Sequence, residues 1–437
     1  MKIPGYVKSV MERFYKNGFE CYIVGGAVRD ALSGKTPEDY DLTTSAKPAE
    51  MLEIFSDMKL IKTGLKHGTV TVVSEGRNLE ITTFRIDGSY SDNRHPDAVA
   101  FSDKLSEDLS RRDFTVNAMA YSEKSGLVDL FGGEDDIKNR LIRTVGDPET
   151  RFSEDGLRIM RGLRFAATTG FDIEKSTAEA MHKCKDLLKN IAVERLFSEF
   201  TKLLSGENAV KILAEYPDVI GVFIPEILPT VGFDQKSTPK EHDVYSHILN
   251  VLGGCNRNDK ILRLTAFFHD IGKPDSAVPV GDTLSFATHA KVGAEIADKV
   301  LTRLHADAKT KKEVVLLIAE HATERPATEQ TARRMLSEFG RETTFRLLEL
   351  MIADRLGTVT KREKAKEVEK LTEIVRAESA KGEFSITDLK IDGNDLKALG
   401  FSGEEIGKRL KMLLDAVIDG KIENEKSALL DEAKKLK

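Results

Sequence analysis

The sequence contains no tryptophan and only three cysteines in 437 residues. Cys21, Cys184 and Cys255 are widely spaced and include no CxxC pair, which argues against a disulfide framework and a cysteine-rich zinc site. No stretch approaches the ~18 apolar residues of a membrane span, and the N-terminal segment lacks the apolar centre of a signal peptide. We therefore expect a cytoplasmic protein with no membrane partner.

Positive charge is not in excess, because 66 lysines and arginines stand against 72 aspartates and glutamates and leave a formal net charge of −6. This balance argues against a chain coated in positive charge for nucleic acid. The arginines are nevertheless concentrated, since 25 consecutive residues contain Arg140, Arg143, Arg151, Arg158, Arg161 and Arg164. The sequence therefore predicts one confined basic path.

The spacing of apolar residues separates a mixed N-terminal part from a helical remainder. Residues 5–18 have the pattern of an amphipathic helix, and the CYIV run before Gly25 and Gly26 has that of a buried strand. The runs 69–73 and 79–85 predict an antiparallel hairpin. Beyond about residue 150 the spacing is helical, so we expect an α+β protein. At roughly 150 residues per domain, the length predicts two to four domains.

The densest group of chemically capable residues lies in GGAVRDALSGKTPEDYDL, residues 25–42. A phosphate-binding P-loop is excluded, because Arg29 occupies the position of the required earlier glycine. If the DYD segment is extended, Asp39 and Asp41 lie on one face about 7 Å apart, near enough to share one or two Mg²⁺ ions. Glu80, in an alternating strand, suits a third ligand. The pattern predicts two-metal phosphoryl transfer, although an isolated DxD is more often a surface turn.

Beyond this segment, a longer series of motifs resembles one known family. GGAVRD, DYDL, KHGTVTV, LEITTFR, DGSYSDNRHPD, DLSRRDFTVNAMAY and SEDGLRIMRGLRFA follow one another within residues 20–205. Their order is similar to that of the class II tRNA nucleotidyltransferases, which comprise CCA-adding enzymes and bacterial poly(A) polymerases. The C-terminal segment IDGNDLKALGFSGEEIGKRL also looks like the tail of bacterial CCA-adding enzymes, which favours tRNA as the partner.

The resemblance implies addition of C and A to the 3′ end of tRNA from CTP and ATP, with Mg²⁺ as cofactor and release of pyrophosphate. Addition of A alone and synthesis of poly(A) stay open as alternatives. By the same resemblance, Asp39 and Asp41 bind the metal and Glu80 assists the terminal 3′-hydroxyl. The implied nucleotide-binding residues are Gly26, Arg29, Arg112, Asp155, Arg158, Arg161 and Arg164.

Asp155 and Arg158 are candidates for selecting the base of the incoming nucleotide. Ser153 suits a helix N-cap, and on a helix beginning there the two residues, three apart, share one face. Cytosine and adenine both present an amine donor beside a ring-nitrogen acceptor, which a carboxylate and a guanidinium can pair with. Uracil and guanine reverse this pattern, so the pair predicts a protein template. The alternative is an ordinary ion pair within a helix.

The segment between residues 85 and 96 is polar and resembles the flexible loop that CCA-adding and A-adding enzymes carry. It argues against an enzyme that adds only CC, although an ordinary surface loop is the alternative.

Histidine is the last concentrated residue type, since residues 242–321 contain six of the nine histidines. An ordered set, His247, His269, Asp270, His289, His321 and Asp354, resembles the metal ligands of HD-domain phosphohydrolases. Such a set suits a second divalent metal and hydrolysis of a phosphomonoester or cyclic phosphate. The alternative is a helical scaffold that positions tRNA. His242 and His305 fall outside the set and are expected on the surface.

The resemblances also divide the chain into four parts, 1–140, 141–215, 216–360 and 361–437. They imply a nucleotidyltransferase head, a helical neck that reads the base, an HD-type helical domain and a helical tail that contacts tRNA. A monomer or a homodimer is expected.

Overall fold

The computed structural model describes residues 1–87, 99–236, 243–358, 362–382 and 384–435. Its chain forms two compact units, Met1–Pro225 and Glu226–Lys437. The finer division into four parts stays a prediction. In the described residues, no helix is both long enough and apolar enough to cross a membrane.

The first unit is built on a seven-stranded mixed sheet. Its helices before the neck are α1 (Gly5–Lys16), α2 (Gly26–Leu32), α3 (Pro48–Ile54), α4 (Leu105–Ser110) and α5 (Gly133–Lys138). The strands are β1 (Cys21–Val24), β2 (Asp41–Thr44), β3 (Lys59–Ile61), β4 (Thr69–Ser74), β5 (Arg77–Thr83), β8 (Met119–Ser122) and β9 (Gly126–Asp129). They lie in the order β3-β4-β5-β2-β1-β8-β9, and β6 (Arg85–Asp87) pairs separately with β7 (Val99–Phe101).

The register of this sheet positions the site. The β4 and β5 strands form the antiparallel hairpin that the sequence predicts, and α1 confirms the predicted first helix. The β2 and β5 strands are parallel, and Asp41 is directly opposite Glu80. Strand β1 is buried throughout because neighbouring strands flank it on both sides. A rigid, buried strand therefore leads directly into the Gly25 turn.

The helical part of the first unit follows the sheet. It comprises β10 (Leu141–Ile142), α6 (Pro148–Glu154), α7 (Leu157–Thr169), β11 (Asp172–Ile173), α8 (Lys175–Cys184), α9 (Val193–Leu204), α10 (Ala209–Glu215) and α11 (Pro217–Ile220). Helix α7 packs against α9 through buried residues that include Leu163 and Phe200.

The prediction of a helix that begins at Ser153 is wrong. Asp147, six residues before Ser153, caps α6 instead. Its carboxylate accepts a 2.8 Å hydrogen bond from the Thr150 amide. Asp155 is extended, with φ −140° and ψ 103°, and α7 begins only at Leu157. Asp147 followed by proline is the stronger N-cap signal, and the extended Asp155 ends the first helix. Asp155 and Arg158 therefore do not share a helical face.

The second unit is almost entirely helical. Its helices are α12 (Val244–Gly254), α13 (Lys260–Phe268), α14 (Lys273–Ser276), α15 (His289–Arg303), α16 (Ala308–Glu320), α17 (Glu329–Phe339), α18 (Arg341–Leu356), α19 (Arg362–Ser379), α20 (Gly393–Ala398), α21 (Glu404–Ile418) and α22 (Lys426–Lys435). A small hairpin, β12 (Val278–Val280) and β13 (Thr283–Ser285), interrupts them. The C-terminal helices bury their own apolar cluster around Leu396, Leu413 and Leu429. These elements confirm the predicted α+β class.

Candidate active site

The glycine pair forms a turn between β1 and α2. Gly25 has φ +69°, a conformation that side chains rarely adopt, and Gly26 is the first residue of α2. A Cβ at Gly25 would lie 3.4 Å from the Arg112 Nη1 atom. The guanidinium of Arg112 therefore lies directly over the turn, with the Gly25 backbone open to it.

The two aspartates flank a buried anchor. Tyr40 is buried and packs edge-on against Tyr6 with ring centroids 6.3 Å apart, whereas Asp39 and Asp41 are both exposed. This alternation agrees with the extended DYD segment that the sequence predicts. Both carboxylates therefore lie on the open side of the sheet, at the start of the central strand β2 and next to Glu80.

These carboxylates repel one another. Partial burial raises the pKa of Asp41, the neighbouring Glu80 and Asp39 raise that pKa further, and Arg112 opposes them. An oxygen-only set of acids in which two neighbours disfavour the ionised form of Asp41 fits a hard divalent cation. Asp39, Asp41 and Glu80 are thus brought to one place, as the sequence predicts.

Arg112 is positioned from below by a buried acid. The Asp108 side chain is fully buried, and its Oδ2 atom accepts from Thr43 Oγ1 at 3.2 Å and from Arg112 Nη2 at 3.3 Å. The pKa of Asp108 is lowered, because the charges of Arg111 and Arg112 outweigh the effect of burial. Arg112 Nε is buried without a hydrogen-bond partner among the described residues, so a donor is left for a ligand.

A chain of polar contacts joins α2 to α7. Arg29 donates from Nη1 to the Asn117 side-chain oxygen at 2.8 Å, and Asn117 donates to Asp113 at 3.3 Å. Asp113 in turn holds Arg161, with Oδ2 and Nη2 2.7 Å apart. Burial alone would raise the pKa of Asp113, but Arg161 holds that pKa at about 2. Two predicted nucleotide-binding arginines are therefore connected through side chains that the sequence left without a defined role.

Arg164 lies beside Arg161 on the same face of α7. Its guanidinium is 3.8 Å from the ring centroid of Phe165 and its Nε atom is 2.5 Å from Glu199 Oε2. Arg161 also approaches the Phe165 ring, at 5.4 Å from its centroid. Both guanidinium groups therefore lie near the Phe165 ring. Arg161 pairs with Asp113, and Arg164 pairs with Glu199.

Asp155 and Arg158, the proposed base-reading residues, are close in sequence but contact different partners. Asp155 Oδ1 accepts the Leu157 amide N–H at 3.0 Å, and Asp155 Oδ2 is 3.5 Å from Arg195 Nη2. Arg158 is buried and donates to the Glu154 carboxylate at 2.5 Å. Its remaining bonds go to the main-chain oxygens of Arg151 and Arg111, each at 3.0 Å.

Arg195 is a residue that sequence reasoning missed. It lies 40 positions after Asp155 on α9, and nothing in its local sequence separates it from a solvent-facing arginine. Only the packing of α9 against α7 brings it to the elbow between α6 and α7.

The second unit holds the complete predicted set of histidines and aspartates. His247, His269, Asp270 and Asp354 form one group whose ligand atoms lie within 4.8 Å of one another, and Asp270, His289 and His321 form another. Asp270 joins the two groups. Its carboxylate is 3.3 Å from the Nε2 atoms of His247 and His269 and 3.4 Å from that of His289. His305 is exposed and lies outside both groups, as predicted.

The orientation of the histidines favours a ligand role. Three of them bond a main-chain oxygen through Nδ1: His269 to Ala266 at 2.8 Å, His289 to Phe286 at 2.6 Å and His321 to Ile318 at 2.7 Å. This leaves each Nε2 directed into the cluster. The buried His269 Nε2 and Asp270 Oδ2 atoms have no hydrogen-bond partner of normal geometry among the described residues. The donor set therefore fits a divalent transition metal.

This cluster opens into a cavity of about 410 Å³. Lys273, Arg355 and Lys364 line the cavity, and Phe286 forms an apolar wall. The Lys273 Nζ atom is 2.7 Å from Asp270 Oδ2. The cations match an anionic ligand beside the histidine groups.

Two sequence predictions lie outside the described residues. The loop proposed between residues 85 and 96 falls mostly within the undescribed range 88–98, and His242 falls within 237–242.

Three family models match the chain. The Poly A polymerase head domain matches residues 21–143, and a "Probable RNA and SrmB-binding site of polymerase A" matches residues 170–216. A model described as tRNA nucleotidyltransferase domain 2 matches residues 284–433.

Curated relatives include CCA-adding enzymes. That of Streptococcus gordonii is 50% identical over 195 residues, which cover 45% of this chain and 48% of the relative. That of Bacillus velezensis is 41% identical over 258 residues, covering 57% of this chain and 64% of the relative. The chain thus spans about half the length of the first curated relatives it matches.

Solved structures extend the similarity over the whole chain. The Bacillus stearothermophilus CCA-adding enzyme in complex with CTP has a TM-score of 0.72 at 29% identity, covering 100% of this chain and 98% of that one. The Thermotoga maritima CCA-adding enzyme complexed with tRNA-CCA has a TM-score of 0.62 at 21% identity, covering 100% and 97%, and shows the fold alone. A nucleotidyltransferase fold implies a divalent metal. The chain thus carries segments that match a Poly A polymerase head domain and a tRNA nucleotidyltransferase domain 2, and it is similar to CCA-adding enzymes.

Proposed function

We propose that this chain adds C and A to the 3′ end of tRNA from CTP and ATP without a nucleic-acid template. The observation that carries the proposal is the register of Asp41 with Glu80 on the open side of the sheet, beside Asp39 and the Gly25 turn. The similarity to CCA-adding enzymes supports tRNA as the substrate.

Several residues around the Gly25 turn are placed to bind the nucleotide. Arg29, fixed by Asp30 and Asn117, and Arg112, fixed by Asp108, offer guanidinium groups to the triphosphate. The amide groups near Gly26 add neutral donors. Arg161 and Arg164 extend this cationic lining along α7, which accounts for the local arginine concentration in an acidic chain.

The reaction joins the terminal 3′-oxygen of the RNA to the α-phosphorus of the nucleotide. The bond from that phosphorus to the bridging oxygen breaks, and pyrophosphate leaves with its electron pair. Asp39 and Asp41 would hold Mg²⁺, which would supply activation of the hydroxyl and neutralisation of the triphosphate charge. Glu80 orients the 3′-hydroxyl and accepts its proton, directly or through water. Asp155 and Arg158 contribute to the choice of base.

Replacement of the metal-binding pair tests this proposal. The variant Asp39→Asn/Asp41→Asn removes two charges from exposed positions, so its fold and its tRNA binding are expected to persist while incorporation of labelled CTP and ATP is lost. A wild-type protein that binds tRNA without Mg²⁺-dependent incorporation would refute the proposal. A protein that hydrolyses phosphate esters but incorporates nothing would identify it as a phosphohydrolase only.

A second activity is favoured by one specific observation, the buried histidine and aspartate groups around Asp270. We propose that these groups bind a divalent transition metal and hydrolyse a phosphomonoester or a 2′,3′-cyclic phosphate at an RNA end. Lys273 and Arg355 line the adjoining cavity and suit the phosphate. The six side chains would hold the metal, and the metal would supply an activated water.

This second activity is separable from the first. Asp270→Asn is expected to abolish hydrolysis of a cyclic phosphate and to leave incorporation of CTP within twofold of the wild type. The matched control His305→Asn changes an exposed histidine outside the groups and is expected to alter neither. Absence of hydrolysis in the wild-type protein loaded with Mn²⁺, Ni²⁺ or Co²⁺ would leave the helical unit as a scaffold for tRNA.

A further inference from the structure

We propose that the second unit binds a single-stranded segment of RNA in a groove between α12, α18 and α19, with the end of that RNA in the cavity beside Asp270. The groove has a volume of about 560 Å³ and is lined by residues that include Asn250, Phe345, Leu356 and Arg376. This volume lies in the range of ligand-binding pockets. The inference rests on the proposed hydrolysis and deepens it, because it makes the substrate an RNA strand rather than a free nucleotide.

The groove adjoins the cavity beside Asp270. Gly357 lines the groove, and a Cβ at this position would lie 3.4 Å from the Cε1 atom of His247, which lines the cavity. On α19, Lys364 lines the cavity and Arg362, two positions earlier, lines the groove. The groove and the cavity therefore meet at the first turn of α19, and a strand that leaves the cavity enters the groove there.

One face of α18 gives the groove an apolar wall. Phe345, Ile352 and Leu356 line the groove and are spaced by seven and four residues, so they project from one side of the helix. Leu356 is 51% exposed, although it is a large apolar side chain. The faces of unpaired bases pack on aromatic and apolar side chains of this kind. The wall therefore suits a single strand.

Two arginines lie at opposite ends of the groove. Arg362 and Arg376 are fourteen residues apart on α19, which is about 21 Å along a helix. A single phosphate cannot contact both, so the separation favours a strand that carries several phosphates over a mononucleotide. Arg376 pairs with Glu373 at the surface, where the two side chains are 61% and 71% exposed. Such an exposed pair is weak, and a phosphate can replace its acid.

Glu349 is an acid within a groove that we assign to an anion. It lies on the same face of α18 as Phe345 and Ile352, and its Oε1 atom accepts the Asn256 amide N–H at 2.7 Å. A carboxylate repels phosphates but accepts a hydrogen bond from a ribose 2′-hydroxyl. A strand whose sugars cross the apolar wall and whose phosphates lie at the two arginines satisfies this acid, and DNA does not.

The adjoining cavity favours RNA over other extended anions. An acidic peptide also matches two arginines and an apolar wall, but it carries no phosphate ester for the groups around Asp270. An RNA that ends in a 2′,3′-cyclic phosphate supplies one. In its hydrolysis, water gives its hydroxyl to the phosphorus and its proton to the ribose oxygen whose bond to phosphorus breaks.

The experiment uses the whole protein and a fluorescein-labelled pentaribonucleotide that ends in a 2′,3′-cyclic phosphate. Anisotropy measures its binding in EDTA at a series of salt concentrations, and kcat/KM with Mn²⁺ is compared with that of cytidine 2′,3′-cyclic phosphate. The groove variant is Arg362→Gln/Arg376→Gln. The matched control is Arg303→Gln/Arg334→Gln, which changes two arginines of the same unit that are 42% and 55% exposed, pair with acids and lie outside the groove lining.

For the wild type we expect kcat/KM at least tenfold higher on the pentanucleotide than on the mononucleotide. The groove variant should lose this preference and bind the pentanucleotide at least tenfold more weakly. Its slope of log binding constant against log salt concentration should become shallower by about 1.4, since each single-strand phosphate that is neutralised contributes about 0.7. The control should keep the preference within twofold. The DNA pentanucleotide should bind the wild type at least threefold more weakly than RNA.

Leu356→Asp tests the apolar wall by a second route. Leu356 is exposed, so the melting temperature should stay near that of the wild type, while binding of the pentanucleotide should weaken at least tenfold. The matched control Leu228→Asp changes another exposed leucine of the same unit, 42% exposed, and should bind the pentanucleotide as the wild type does.

Binding and preference that survive in the folded groove variant, or in Leu356→Asp if the groove variant does not fold, would overturn the groove. Equal binding of the RNA and DNA pentanucleotides, or displacement of the RNA by an equimolar acidic peptide, would overturn the assignment to RNA. Wild-type protein that binds the pentanucleotide through the groove but hydrolyses neither substrate would refute the proposed hydrolysis alone. Wild-type protein that hydrolyses both substrates with equal kcat/KM would refute the groove alone.

Discussion

Asp41 and Glu80 lie directly opposite each other across the parallel pair of strands β2 and β5. They are 39 positions apart in sequence, yet the register of one strand pair fixes both on the open side of the same sheet. The pKa of the Asp41 carboxyl is raised, mainly by its partial burial and then by the neighbouring charge of Glu80. This geometry favours binding of a cation next to the Asp41 and Glu80 carboxylates.

Glu80→Gln tests the role of the third carboxylate. Because Glu80 is exposed, the substitution should leave the melting temperature within about 2 °C of the wild type. Loss of a proton acceptor should lower kcat about 100-fold or more, with little change in KM for CTP. Steady-state incorporation of labelled CTP over a range of CTP concentrations measures both kcat and KM. The control Glu53→Gln, at an exposed position on α3, should have no effect. Equal activity of the two variants would remove Glu80 from the reaction.

Asp113→Asn tests the polar chain between α2 and α7 through its pH dependence. The pKa of Asp113 is held at about 2, below the ordinary 3.8, so its ionisation stabilises the fold at pH values above 3.8. That contribution is lost as the pH falls from 3.8 through 2. The variant should be less stable than the wild type by about 2 kcal/mol at neutral pH.

Urea unfolding between pH 7 and pH 3 measures this difference. The gap between wild type and Asp113→Asn should narrow below pH 4. A gap that stays constant on acidification would show that the variant acts through packing rather than through charge.

Asp147→Ala and Ser153→Ala test where the base-reading helices begin. Asp147 caps α6 by accepting the Thr150 amide, whereas Ser153 lies inside that helix and donates to the Glu149 main chain. We expect Asp147→Ala to lower the melting temperature by about 2 °C and Ser153→Ala to leave it nearly unchanged. Differential scanning calorimetry reports both values. The opposite ranking would restore a helix start at Ser153.

Metal binding by the second unit is testable without any enzymatic readout. Added Mn²⁺ or Ni²⁺ should raise the melting temperature of the intact wild-type protein, and a chelator should reverse the rise. Asp354→Asn removes an acid that is 3.0 Å from His247 Nε2 and should abolish the shift. His305→Gln should retain it. A shift that persists in Asp354→Asn would place the metal elsewhere.

The sequence predicted the elements whose signals are local. The alternation in LEITTFR predicted β5, and the buried Tyr40 between two exposed aspartates follows the same period of two. The spacing of the second half predicted helices, and the resemblance to HD-domain phosphohydrolases named six histidines and aspartates that the fold gathers into two adjoining groups.

The remaining features depend on long-range packing. The register of Asp41 with Glu80 follows from a parallel pairing that no local pattern encodes. The break at Asp155 was missed because Glu154, Asp155 and the arginines after them read as one helical stretch. Arg195 reaches Asp155 only because α9 packs on α7, and one sequence carries no sign of that contact.

Stepwise addition of single nucleotides tests the central proposal most directly. The wild-type protein with Mg²⁺ is given three tRNA transcripts, ending before the first C, before the second C and before the A, with each nucleotide supplied alone. With CTP alone we predict two C residues on the first transcript and one on the second. With ATP alone we predict one A on the third transcript, and we predict no extension by UTP or GTP. Extension of all three transcripts by ATP into long tails, or by no nucleotide, would contradict the proposed function.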